Sequence, residues 1–244
     1  ADFLSGKLDG MLTDYPGATL LQAKGSRLRL VMETDGSLSL IASKKSNVRN
    51  PDDLKGKNIS VSGNTFVEYA TDEVMKRACL HPGEVNKPEI NNIPLRLMML
   101  EDGQISASFL PGPATAIALN DGHTALLNTR QMGLRCTGIV FSEKAITEKD
   151  EEIRRFITGY NLGVKYLQTR PQNEWTEILV KEFGLQEKAA MQIDLPDYRP
   201  ATRPSYHDIE KIIAWLKSKG SIPDYYPGEN LVDTTFIPGT LKPQ

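Results

Sequence analysis

Apolar positions along the chain alternate between two periods, and the switches mark the elements. Short apolar or β-branched runs at 8–13, Leu28–Thr34, 37–43, 58–61, 125–128 and Thr137–Ser142 read as strands bounded by turn residues. Longer stretches carry a period near 3.6. The clearest covers 150–170, with Ile153, Phe156, Ile157, Tyr160, Val164 and Leu167 on one face. Further helices are predicted at 17–24, 66–79, 175–183, 186–192 and 205–219, the last with Ser205 as N-cap and Asp208 at the capping-box position. Asn91 to Pro94 reads as the end of another strand, and 230–244 as a Pro-rich tail.

Two stretches carry the same pattern. Gly6, Pro16 and Gly25 match Gly103, Pro113 and Gly122 at a single offset (103−6 = 113−16 = 122−25 = 97). Each copy reads as a helix stopped by Gly, an apolar strand, a Pro-marked turn, a second apolar helix and another Gly stop. A repeat of this length is no solenoid period and predicts two similar α/β lobes. The expected division is lobe A at 1–45 and 136–244, lobe B at 46–135. Strand ends and helix N-termini would look into a shared cleft, where α/β sheets take ligands. Residues 1–5 read as the last turn of a helix whose counterpart in the second copy follows a strand–helix unit. The fold is therefore expected to be N-terminally incomplete, with exposed edges that favour self-association.

The 244 residues are 39% hydrophobic and 25% charged, with 29 basic and 31 acidic side chains and a formal net charge of −2. This is a globular composition with no long basic run, which argues against nucleic acid as a partner. No apolar run approaches the ~18 residues that would span a bilayer. Cys79 and Cys136 are too few for a disulfide scaffold and read as buried small hydrophobes, with a single bridge left open.

The most ligand-like stretch is Ser62-Gly63-Asn64-Thr65, where a β-branched strand delivers a small polar turn onto a helix. Free N–H groups and the positive end of the helix dipole suit an oxyanion or a polar heterocycle edge. The plainer alternative is an ordinary cap, Thr65 with Glu68. Asp14-Tyr15-Pro16 and Pro111-Gly112-Pro113 sit at equivalent strand ends. Asp35 offers a carboxylate, Thr137 a hydroxyl, and Tyr15 and Tyr69 rings for stacking. His81, His123 and His207 lack metal-ligand spacing and read as exposed. No nucleophile elbow or Cys-x-x-Cys occurs, so no catalytic residue, metal or cofactor is expected.

Four segments together resemble a known family: the turn Asn50-Pro51-Asp52-Asp53-Leu54-Lys55-Gly56-Lys57, the run Leu100 to Ala107 containing Gly-Gln-Ile, Ile213-Ala214-Trp215-Leu216 with Lys219-Gly220, and Leu231-Val232-Asp233. They are similar to the periplasmic substrate-binding proteins of nitrate/sulfonate/taurine and thiamin-pyrimidine type ABC importers. The resemblance implies a two-lobed type II binding-protein fold without catalysis, working with an ABC permease. It implies a periplasmic or lipid-anchored extracellular location, and a small ligand (sulfonate, nitrate-type anion or pyrimidine) lined by Asp14, Tyr15, Asp35, Ser62, Gly63, Asn64, Thr65, Pro111, Gly112 and Thr137. With no Arg among these positions, the reading leans toward a neutral ligand. Two alternatives are a thiamin-pyrimidine synthase-like enzyme, whose cysteine-rich motif has no counterpart here, and the ligand-sensing domain of a LysR-type regulator, which fits the C-terminal helices poorly.

Overall fold

The duplication is visible in the backbone. β1 (Gly10–Asp14) runs into α1 (Tyr15–Ala23). Exactly the same lengths recur 97 positions later in β5 (Ala107–Pro111) and α4 (Gly112–Asn120), since 107−10 = 112−15 = 97. The glycine stops match as well, with φ of 75° and 76° at Gly6 and Gly103, and 92° and 87° at Gly25 and Gly122. These left-handed conformations suit glycine, which has no Cβ to clash. The hydrogen bonds that close each stop repeat at the same offset. Gly6 N donates to Phe3 O and Lys7 N to Asp2 O, as Gly103 N does to Leu100 O and Gln104 N to Met99 O. This is the Schellman pattern that ends helices.

The computed structural model describes residues 2–191, 195 and 197–237. Ala1, Gln192 and the Pro-rich end 238–244 lie outside the described residues. The chain forms two units. Unit 1 comprises Ala1–Asp35, Arg135–Thr169 and Asp197–Gln244, and unit 2 comprises Gly36–Leu134 and Arg170–Pro196.

Unit 1 holds β1, α1, β2 (Leu28–Thr34) and β7 (Thr137–Ser142). Its antiparallel sheet has the order β1-β7-β2, with Asp14, Thr137 and Thr34 in register at one end. The helices α5 (Glu143–Glu148), α6 (Asp150–Thr169) and α9 (Tyr206–Ser218) complete the unit. Val31, Met32 and Phe141 pack with Ile153 and Ile157 of α6 and with Phe236 and Ile237. Gly138 lies where β7 crosses closest to β2: a Cβ there would stand 2.6 Å from Met32 O and 2.7 Å from Leu30 Cδ1.

Unit 2 holds β3 (Leu38–Ala42), β4 (Ile59–Ser60), β5 and β6 (Thr124–Asn128) in the order β4-β5-β3-β6. Only β4 and β5 are parallel, so both leave the sheet at the same edge. α2 (Phe66–Arg77), α3 (Ile93–Asp102) and α4 cover the sheet, and Ile41, Leu100, Leu110, Ala114 and Ala118 form its core. α7 (Gln172–Phe183) and α8 (Glu187–Met191) also belong here, α8 packing on α4.

The boundaries differ from the expected ones. The first falls at Asp35–Gly36 rather than at residue 45, because β3 pairs with β5 and β6. Its apolar pattern suits either sheet, and only the backbone partners decide. Residues 170–196 fall in unit 2, although they follow α6 directly. The expected strand end at Ile93-Pro94 is instead the first turn of α3, with Asn92 as N-cap accepting from Leu95 N at 2.9 Å. His123 is buried, not exposed. Its Nδ1 accepts from Lys44 N at 3.1 Å, and burial holds its pKa below the usual value.

Replacing Gly138 with Ala is expected to lower stability by about 1–3 kcal/mol through overpacking. Gly159→Ala, on the open face of α6 with nothing within 4 Å, should raise it by about 0.5–1 kcal/mol. Urea unfolding of the two variants checks this pair, and equal stabilities would contradict the packing described.

Candidate functional site

Each unit brings its share of the expected residues to one sheet edge. In unit 1 the ends of β1 and β2 and the start of β7 meet at Asp14, Thr34 and Thr137. Asp14 caps α1, its Oδ1 accepting from Gly17 N at 2.7 Å. Thr34 Oγ1 donates to Thr137 Oγ1 at 2.9 Å, and Thr137 Oγ1 donates to Thr34 O at 3.1 Å. Thr137 therefore spends its proton inside the sheet and offers only lone pairs. Tyr15 is fully buried, and its hydroxyl donates to Glu33 Oε2 at 3.1 Å. It supports this edge from behind and presents no ring face. Tyr69 is buried too.

Asp35 is the centre of the edge. Its side chain is 5% exposed. Oδ1 accepts from Arg135 Nη1 at 2.6 Å and Arg199 Nε at 2.9 Å, and Oδ2 accepts from Arg199 N at 2.8 Å. Arg199 Nη2 reaches Glu33 Oε1 at 2.7 Å. Asp35 was expected to offer its carboxylate to a ligand, but these donors already occupy it. The groups at the surface are the guanidinium groups, with the side chains of Arg135 and Arg199 43% and 39% exposed. Burial is supportable for the two carboxylates because each is hydrogen-bonded to a cation. Sequence reading missed Glu33, Arg135 and Arg199. The one signal was Glu33, a charge inside the apolar run Leu28–Thr34, which in a buried strand demands a partner.

In unit 2 the turn 62–65 and the turn 110–113 leave the same edge. Thr65 caps α2, its Oγ1 accepting from Val67 N at 3.2 Å and donating to Ser62 O at 2.8 Å. Asn64 takes a φ of 55°, and its N–H donates to Glu68 Oε2 at 2.7 Å. Ser62 Oγ donates to Asn91 Oδ1 at 2.5 Å, and Asn91 Nδ2 donates to Glu89 Oε1 at 3.1 Å. A Cβ on Gly63 would stand 2.8 Å from the Glu89 carboxylate. Two carboxylates thus lie at a helix start that sequence alone offers to an anion, and Glu68 is paired with Lys87, whose Nζ stands 3.3 Å from its Oε1. Pro111 caps α4 without a side-chain hydrogen bond, and Gly112 has open space around it. Arg96 of α3 is 3% exposed: its Nη1 donates to Phe109 O at 3.0 Å, while its Nε has no hydrogen-bond partner among the described residues.

Other features lie apart from these edges. A groove of about 750 Å³ in unit 1 is lined by Arg27, Arg29, Glu143 and Thr235 and contains none of the expected site residues. Both cysteines are free thiols, Cys79 exposed and Cys136 buried. Burial pushes the Cys136 thiol well up, with Asp208, Asp14 and Glu33 adding to the effect, so it is a poor nucleophile. Among the described residues no group of three or more His, Cys, Asp or Glu is placed to hold a metal, and no helix is long and apolar enough to cross a membrane.

Three phenols resist ionisation. Burial and then Glu33 push Tyr15 far above the usual range; burial and then Asp35 push Tyr160 up to about 12; burial pushes Tyr226 up to about 12. The protonated forms are favoured in the folded state, so this contribution is intact below pH 10. It is lost as pH rises further, because unfolded chains release these protons first. Urea midpoints are expected to fall between about pH 10 and 12. Tyr160→Phe should fall less steeply than the parent, and identical slopes would contradict the assignment.

A comparison with curated proteins returned no match. Among solved structures, the periplasmic aliphatic sulphonate binding protein SsuA from Escherichia coli superposes with a TM-score of 0.79 at 14% identity, covering 98% of this chain and 80% of that one. The alkanesulfonate-binding protein SsuA from Xanthomonas axonopodis pv. citri, bound to MOPS, gives 0.76 at 18% identity over 91% and 79%. The desulfurization enzyme DSZB gives 0.66 at 11% identity over 93% and 83%. At these identities the likeness shows the fold, that of periplasmic binding proteins. A family model described as NMT1/THI5 like matches residues 3–174. That span exceeds half of the chain, and the protein belongs to the NMT1/THI5-like family.

Proposed function

We propose that this protein is the extracytoplasmic solute-binding component of an ABC importer, capturing a small polar molecule of the sulfonate, nitrate-type anion or pyrimidine class for a permease. The observation that carries the reading is the paired β-strand–helix turn, β1–α1 and β5–α4, built to the same lengths at one offset. Such turns are where α/β folds meet ligands. Asp14, Asp35 and Thr137 organise the turn of unit 1. Ser62, Gly63, Asn64, Thr65, Pro111 and Gly112 form those of unit 2. The names of the E. coli and Xanthomonas relatives agree with this reading. It places the protein in the periplasm or, on a lipid anchor, at the cell surface.

A desulfurizing enzyme is the second reading, raised by the likeness to DSZB. Calorimetric titration separates the two. A transport protein is expected to bind one small solute per chain and release it chemically unchanged, as judged by NMR of the recovered ligand. Sulfite or another product in the recovered fraction would contradict transport, and a flat titration with alkanesulfonates, nitrate and pyrimidines would contradict both readings.

A further inference from the structure

Arg135 is held by one end. Its Nη1 donates to Asp35 Oδ1 at 2.6 Å. Its Nε and Nη2 make no hydrogen bond or ion pair to any described residue, and its side chain is 43% exposed. A guanidinium fixed at one nitrogen keeps a planar edge of parallel N–H donors, the geometry that takes a carboxylate or sulfonate through two hydrogen bonds. Fixing it in advance also removes much of the rotamer entropy that an arginine otherwise loses on binding.

The anchor suits this role. Asp35 directly follows Thr34, the strand end in register with Thr137, which in turn pairs with Asp14. Arg199, through its backbone N, Nε and Nη2, fills the remaining lone pairs of Asp35 and one oxygen of Glu33. The two carboxylates are buried and the two guanidinium groups half-exposed. The formal charges cancel, but they are layered: negative groups inside, positive groups at the surface. The uncommitted Arg135 edge therefore faces a ligand as a donor.

We propose that Arg135 is the ligand-contacting determinant of an oxyanion head, a carboxylate or sulfonate, and that Asp35 and Arg199 are positioning residues that hold its guanidinium in place. This deepens the solute-binding reading and rests on it. It replaces the neutral ligand expected when no arginine stood among the site residues.

The test is a titration of the full chain with ethanesulfonate, acetate and uracil, followed by calorimetry and thermal unfolding. The variants are Arg135→Gln, Arg135→Lys and, as a control, Arg154→Gln, which removes an exposed helix pair with Asp150. The parent and the control should bind an anionic probe. Arg135→Gln should weaken it by about tenfold or more while unfolding within a few degrees of the parent. Arg135→Lys should weaken it too, because charge without the planar fork does not restore two hydrogen bonds. Anion binding unchanged in a folded Arg135→Gln, full recovery in Arg135→Lys, or binding of uracil with no anion would overturn the proposal and leave the solute-binding reading standing. No binding of any probe by the parent would overturn both.

Discussion

One buried carboxylate bonds across all three stretches of unit 1. The unit is assembled from three separate stretches of chain. Asp35 ends the first, Arg135 begins the second, and Arg199 lies just inside the third. Removing that carboxylate from water is costly, and the cost is offset by the hydrogen bonds from Arg199 N, Arg199 Nε and Arg135 Nη1. The same bonds station both arginines at the sheet edge. Loss of the Arg199 guanidinium, which reaches both buried carboxylates, costs about 3–5 kcal/mol, because it strands them.

The remainder of the site follows from how local chemistry terminates helices and strands. Asp14 and Thr65 cap α1 and α2 with their own side chains, and Pro111 leaves the start of α4 without such a cap. Glu68 and Glu89 occupy the turn at Asn64. The two units are alike in their repeated strand and helix and unlike in charge at the turns.

Much of the fold was legible from the chain. Gly6, Gly25, Gly103 and Gly122 revealed the repeat because each occupies a left-handed position that other residues resist. The long helix α6 was read from its apolar face, and α9 from its Ser205 cap. The sheet that β3 joins was not legible, since an alternating strand does not name its neighbours. Asp14, Asp35 and Thr137 were read from the sequence as strand-end positions, but their hydrogen-bond partners were not. Those of Asp35 are Arg135 and Arg199, which lie 100 and 164 positions from it in the chain. No local pattern announces a partner at that separation. Glu33, a charge in an apolar strand, was the only sign that cations would be brought to it.

The most direct measurement is a double-mutant cycle on Asp35 and Arg199, read by equilibrium unfolding of Asp35→Ala, Arg199→Ala and the double variant. If Asp35 joins the segments of unit 1, the two losses are strongly non-additive, with a coupling energy above about 1.5 kcal/mol. Losses that add to within about 0.5 kcal/mol would mean that the pair is independent, and that the arginines at this edge are held by something else.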